Sequence, residues 1–271
     1  MNEGYLSLRL KRDGRQRTRL SARRQSYPLT TTAVLPMAGE NTALIYVQNA
    51  AGSIFGGDKL RLEIALDEGA ELCLSTPTAT RLNGTAPSVQ ETCISVGSEA
   101  FIEVIPDMII PHGRAHHQQI TRLEMKGDAG AIIMDLMAPG RVARGERHDY
   151  ALVSLRLEVS IDGRPILVDA AHFCPSEADP WSAGALGDEG YVGTVFVLGD
   201  CPDHATLGQK IAAGFEAIEG IFGGAAPLAS GHGVVARFLA DDATALRLAG
   251  HAAWDIARRQ MRDRPAPVLR K

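Results

Sequence analysis

Residues 58–74, DKLRLEIALDEGAELCL, repeat with a period of two. Leu60, Leu62, Ile64 and Leu66 alternate with Arg61, Glu63, Ala65 and Asp67. Successive side chains of an extended strand point to opposite faces, so this pattern predicts a strand with one buried face and one wet face. The preceding AGSIFGG carries Gly52, Gly56 and Gly57 and runs into Asp58. A phosphate-binding loop would end in Gly-Lys-Ser/Thr and open a helix, and a dinucleotide fingerprint would also lead into a helix. Here a carboxylate and a strand follow, which excludes both. Gly56, Gly57 and Asp58 are expected to form a hairpin or bulge that needs positive φ.

The same alternation recurs. YALVSLRLEVSID places Val153, Leu155, Leu157, Val159 and Ile161 on one face, Asp162-Gly163 predicts a tight hairpin turn, and RPILVDA returns. ALIYV, AFIEVIP, GAIIMDLM, GTVFVLG and GVVARFL are further strand candidates. DEGAELCL, VGSEAFIEV and KGDAGAIIMDL form a loose repeat, each a glycine-bearing turn before a short apolar strand. After residue 200 the period changes. Leu207, Ile211, Phe215, Ile218 and Phe222 recur at helical spacing, with Gly223-Gly224 as the expected stop. Asp241 or Asp242 is expected to cap a second helix, ATALRLAGHAAWDIARRQMR, with Leu246, Ala249, Ala253, Ala257 and Met261 on one stripe and Trp254 beside it. Residues 174–190 read as a long mobile loop. The expected fold is mainly β, with layered, solenoid-like sheets and two helices near the C-terminus, in one domain spanning residues 1–271.

Composition narrows the function. With 271 residues and 45% hydrophobic content, the chain can bury a large core. No apolar run approaches the roughly 18 residues of a membrane helix, and no signal peptide opens the chain. Cys73, Cys93, Cys174 and Cys201 form no CxxC pair. A cytoplasmic protein with free thiols is expected. Residues 25–257 carry 14 Lys/Arg against 29 Asp/Glu between two basic ends. An acidic body disfavours nucleic acid and favours cations or basic partners.

Several residues could carry chemistry. PHGRAHH offers His112, His116 and His117, which read as a solvated loop because Pro111 and Gly113 oppose a helix, with weak, transient nickel or zinc contact as the lesser reading. PGRVARGERHD gathers Gly140, Arg141, Arg144, Gly145 and Glu146. It reads as a turn in which Arg144 and Glu146 pair with neighbouring loops, or as an anion cradle. Asp135 interrupts AIIMDLM and Asp169 ends ILVDAA. A carboxylate in an apolar strand is costly unless paired, hydrated or bound to a cation. Ser75 and Thr76 put hydroxyls just past a core strand. No Ser-His-Asp set, paired carboxylates or zinc-ligand spacing emerges.

Several stretches, in order, resemble the urease accessory protein UreD (UreH) family. They are SYPL, GSIFGGDKLRLEI, LSTPTATRL, IEVIPDMIIPHGR, DLMAPGRVARGER, DGRPILVDAAHF and GVVARFL. The resemblance implies a urease maturation factor without enzymatic turnover of its own. It implies a scaffold between apo-urease and the UreF and UreG proteins, with UreF as the direct partner and UreG reached through it. It also implies transient nickel, not a tightly bound cofactor, passing along an internal water-filled path. Asp135, Asp169, Ser75 and Thr76 fall at positions matching polar points on that path, and the helix bearing Trp254 falls on the side that contacts UreF. The rival reading is a β-solenoid carbohydrate-active enzyme. It would need clustered carboxylates and aromatic platforms, and only 5% of residues are aromatic.

Overall fold

The computed structural model describes all residues except 38–39, 183–184, 188–189, 202 and 270–271. The chain opens with β1 (Glu3–Arg12), β2 (Thr18–Ser26), β3 (Leu29–Thr31), β4 (Leu35–Pro36), β5 (Ala43–Asn49) and β6 (Ile54–Phe55). Two similar passes follow: β7 (Lys59–Leu66), β8 (Glu71–Ser75) and β9 (Thr80–Asn83), then β10 (Ser88–Val96), β11 (Phe101–Ile105) and β12 (Ile109–Pro111). A third begins with β13 (His116–Met125) and β14 (Gly130–Met137). Next come β15 (Leu152–Ile161), β16 (Arg164–Phe173), β17 (Tyr191–Leu198), α1 (His204–Glu216), β18 (Ile221–Pro227), β19 (Gly233–Ala240) and α2 (Ala243–Arg262).

Period-two patterning becomes two packed sheets. The first runs β16-β15-β13-β10-β7-β1-β2, and the second has β18-β19-β17-β14-β11-β8-β5-β3 as its main path. Leu60, Leu62, Ile64 and Leu66 are buried on one face, while Arg61 is exposed and Glu63 half-buried. The three glycine-bearing repeats are the turns that carry the chain from the first sheet to the second. Their alanines, Ala70, Ala100 and Ala129, stack in the core. The amide of Phe101 donates to Ala70, and that of Gly130 to Ala100. β7, β10 and β13 are parallel and in register, as are β8, β11 and β14. The expected solenoid-like regularity does not extend to the whole chain. Antiparallel strands β2 and β16 close the first sheet, and β17, β18 and β19 extend the second antiparallel.

One core lies between the sheets. A second lies between the second sheet and the two helices, and it includes Cys73, Phe101, Ile132, Met134, Ile211, Phe238 and Leu246. The layers are therefore sheet, sheet and helices. Asp242 caps α2 by accepting from the amides of Thr244 and Ala245. Ala249, Gly250, Ala253 and Ala257 are buried and let α2 lie close to the sheet. A side-chain carbon at Gly250 would come 3.2 Å from the Met134 sulfur.

Charge locks this layer. Glu103 on β11 accepts from Trp254 Nε1 at 2.7 Å and from Arg258 Nε at 2.8 Å. Arg258 also reaches both carboxylate oxygens of Glu40 and the carbonyl of Pro265. Trp254 is 1% exposed. Its indole is a core group, so its side chain does not present a partner surface as expected.

Other expectations change. α1 ends at Glu216, because the chain reverses at Gly220 and Ile221–Pro227 pairs with β19. Phe222 and Gly223-Gly224 therefore belong to an edge strand, not to a helix and its stop. Asp162-Gly163 makes the expected two-residue hairpin, with positive φ at both residues. The Gly56-Gly57-Asp58 segment is not a hairpin. It is a turn that leaves β6, in the second sheet's system, and enters β7 in the first. Gly57 has φ +85°, and a side-chain carbon at Gly56 would meet the Ala86 backbone at 2.9 Å.

Replacing Glu103 with Ala leaves Arg258 buried with only part of its counter-charge. The loss of stability should fall toward the low end of about 3–5 kcal/mol, because Glu40 remains. Arg61→Ala, on the wet face of β7, should stay within about 0.5 kcal/mol. Denaturant unfolding of both variants measures the contrast.

Candidate functional site

A cavity of about 380 Å³ lies between the two sheets. Its formation follows from which residues occupy the inward phase of each strand. On β10 the inward positions are Ser88, Gln90, Thr92, Ile94 and Val96, and on β13 they are His117, Gln119, Thr121, Leu123 and Met125. The apolar ends pack. Gln90, Thr92, Gln119 and Thr121 instead line the cavity, with Leu60, Leu62 and Val104 as apolar wall. These glutamines and threonines escaped sequence reading. The available signal was alternation that keeps its phase while its inward residues turn polar.

Asp135, Ser75 and Thr76 are brought together on the cavity wall. Asp135 shares the face of β14 that bears Ile133 and Met137, and it lies deep in the molecule with part of its surface on the cavity. Gln119 donates to it at a long 3.4 Å. Burial raises its pKa to about 6, the nearby charge of Asp169 adds to the rise, and the Gln119 contact opposes it. The Ser75 hydroxyl donates to the carbonyl of Ile105 at 2.6 Å, and the Thr76 hydroxyl accepts from the amide of Asp107 at 2.9 Å. Both keep lone pairs, so the wall offers neutral oxygens beside two acids, Asp135 and the Arg247-paired Asp107.

Asp169 sits apart from the cavity lining. It projects from β16 and forms an ion pair with Arg237 of β19. Asp135, Thr194 and Arg237 are cross-strand neighbours along β14, β17 and β19. The result is a short polar row: Gln119, Asp135, Thr194, Arg237 and Asp169. A borderline divalent cation accepts carboxylate, amide and hydroxyl oxygens, and Asp135 is the anionic member that faces the cavity.

The two glycine-rich motifs build the frame and not the cavity. Asp58 is fully buried, accepting from the Asn2 amide at 2.7 Å, from the Asn2 side chain at 3.0 Å and from the Phe55 amide at 2.9 Å. It staples the chain start to the turn. In the second motif Glu146 pairs with Arg141 through both carboxylate oxygens and accepts from the Gly113 amide. Glu146 thus joins its own turn to the neighbouring loop at Gly113, as expected, while Arg144 is exposed beside Gly145 at φ +76°. Gly140 has φ +148°, and a side-chain carbon there would strike the Glu146 carbonyl oxygen. His117 does not lie in a solvated loop. It follows His116, the first residue of β13, is fully buried and bonds Ser88 Oγ at 2.9 Å, and burial lowers its pKa to about 4.

Residues 2–271 match the family model described as UreD urease accessory protein. The chain belongs to the UreD family of urease accessory proteins. Its relatives include a urease accessory protein UreD of Haloarcula marismortui, 31% identical over 230 residues, covering 84% of this chain and 76% of the relative. The UreD of Cenarchaeum symbiosum is 29% identical over 98% of this chain and 95% of its own length. That of Actinomyces naeslundii is 30% identical over 90% and 89%. Membership ties the chain to urease maturation. Among the described residues, no helix is long and apolar enough to cross a membrane.

The raised pKa of Asp135 has a defined sign. The folded state holds this proton more tightly than the unfolded state, so ionised Asp135 opposes folding. That handicap is absent below about pH 4, grows as pH rises and is complete above about pH 6. Asp135→Asn should therefore gain on the order of 1–3 kcal/mol near neutral pH and nothing near pH 4. Unfolding midpoints of both proteins across that range measure it.

Proposed function

We propose that this UreD-family chain is a non-enzymatic urease maturation factor whose inter-sheet cavity conveys nickel toward the urease active site. The observation that carries the reading is the cavity-facing carboxylate of Asp135 among neutral oxygens and amides from Ser75, Thr76, Thr92, Gln119 and Thr121; the lining also includes Arg81 and a second carboxylate, Asp107, which is paired with Arg247. Transit requires a wall that attracts a divalent cation without enclosing it. One carboxylate with neutral oxygens binds a borderline metal weakly compared with a cage of imidazoles and thiolates. Nickel is cargo here and not a resident cofactor.

Asp169 supplies a further acid beside this wall, partly neutralised by Arg237. Burial and, after it, the charge of Asp169 raise the pKa of Asp135 only to about 6, so at neutral pH the carboxylate is mostly ionised and open to an arriving cation. The partners of this reading are apo-urease, UreF in direct contact and UreG through UreF, in the cytoplasm. Because Trp254 is buried, α2 would meet a partner through its outer side, where Leu248 is exposed. Removing α2 would uncover the second core, so a point change at Leu248 tests contact better than truncation.

The test replaces Asp135 and Asp169 together with Leu, filling the polar row with apolar bulk. The variant is co-expressed with the urease subunits and the other accessory proteins. Urease should assemble but contain markedly less nickel per active site, while the variant still co-purifies with UreF. Wild-type nickel content would reject the conduit. Loss of UreF binding in a folded variant would assign both acids to the scaffold.

A further inference from the structure

We infer that His172, Cys174 and Glu177 form a surface binding site for a borderline divalent cation of the nickel, zinc and cobalt class, separate from the inter-sheet cavity. Among the described residues this is the group of metal-ligating side chains whose donor atoms converge, all lying within 4.8 Å of one another. Local structure explains the convergence. His172 is the penultimate residue of β16, and Cys174 follows the strand's last residue, Phe173. Positions i and i+2 of an extended chain share a face, so imidazole and thiol point the same way. The chain then turns back, with the amides of Glu177 and Ala178 both donating to the Cys174 carbonyl. That turn returns the Glu177 carboxylate to 3.3 Å from His172 Nε2.

The donor set selects the cation. Calcium and magnesium prefer all-oxygen shells, whereas a thiol with an imidazole favours borderline metals. His172 and Glu177 are exposed and Cys174 is half-buried, which leaves room for water or a further donor in the remaining positions. Binding requires the thiol to release its proton to solvent as the sulfur–metal bond forms. The site does not depend on passage through the cavity.

The test titrates the reduced, metal-free full chain with cobalt(II) and with nickel(II) alone. A thiolate-to-metal charge-transfer band in the near ultraviolet is the readout, and calorimetry gives affinity. One equivalent should produce the band. Cys174→Ser should abolish it, and Cys93→Ser, at the other half-buried thiol, should leave it intact. His172→Ala and Glu177→Gln should each weaken binding by at least about ten-fold, since even outer partners of a metal ligand are worth that much. Asp135→Asn should leave the band unchanged, so the outcome is independent of the conduit. Absence of the band in folded wild type overturns the site. So does its persistence in Cys174→Ser, or unchanged affinity in both the His172 and Glu177 variants. Circular dichroism of each variant confirms the fold; His172 and Glu177 are exposed, so both substitutions leave the core packing intact.

Discussion

The middle sheet must be buried on both faces, and the rest of the molecule is arranged to meet that demand. β8 is buried at every residue, and β11 and β14 at nearly every one. Parallel strands of this kind occur where both faces are covered. The first sheet covers one face. The other is covered by α1 and α2, which also explains why the small residues of α2 face inward. Glu103 is the polar exception on β11. It is retained because Trp254 and Arg258 satisfy its carboxylate, and a buried acid without such partners would cost several kcal/mol. The same contacts set the position of α2 along the sheet, so one acid links strand pairing to helix docking.

Covering a sheet does not require filling the whole space beneath it. Between the two sheets, Ile94, Val96, Leu123, Met125 and Leu66 pack one end of the sandwich. Toward the other end the same strands present Gln90, Thr92, Gln119 and Thr121, and a cavity replaces the packing. Each such position forgoes roughly 1.5–3 kcal/mol that a buried aliphatic side chain would contribute. The interior face is thus graded from apolar and packed to polar and cavity-lining along each strand. The gradient comes from a few substitutions at one phase of the alternation, with no change of fold.

That gradient also explains what could be read from sequence. The period of two in residues 60–66 and 153–161 survives because those faces are uniformly apolar, so strand, face and the Asp162-Gly163 turn were legible. Asp135 was legible for the opposite reason, as a charge inside an apolar run. β1 was not. Leu6, Leu8 and Leu10 alternate and are fully buried, but the arginines around them read as a basic tail. At α1 the spacing of Ile218 and Phe222 continued the helical count past the turn at Gly220, since apolar spacing alone does not register a backbone reversal. The cavity wall of glutamines and threonines carried no apolar signal at all. His172, Cys174 and Glu177 escaped because their convergence depends on a turn, and His-x-Cys-x-x-Glu is not a helical or zinc-finger spacing.

The two polar groupings make opposite chemical choices. In the row beside the cavity, Arg237 offsets Asp169, so the two acids and one guanidinium carry a net charge of about one negative when ionised. On the proposed reading, such a row would leave a divalent cation under-neutralised, and its remaining ligands would be neutral oxygens and amides, which exchange readily for water. The group at the end of β16 has a thiol, an imidazole and a carboxylate with no arginine paired to them among the described residues. Once the thiol ionises, two anionic donors balance a divalent charge, and sulfur adds covalent character that oxygen lacks. By ligand chemistry the first arrangement favours passage and the second retention. A chain holding both can keep a cation at its surface without obstructing its interior, because β16 separates the outward-facing His172 from Asp169, whose side chain turns toward Arg237 of the other sheet.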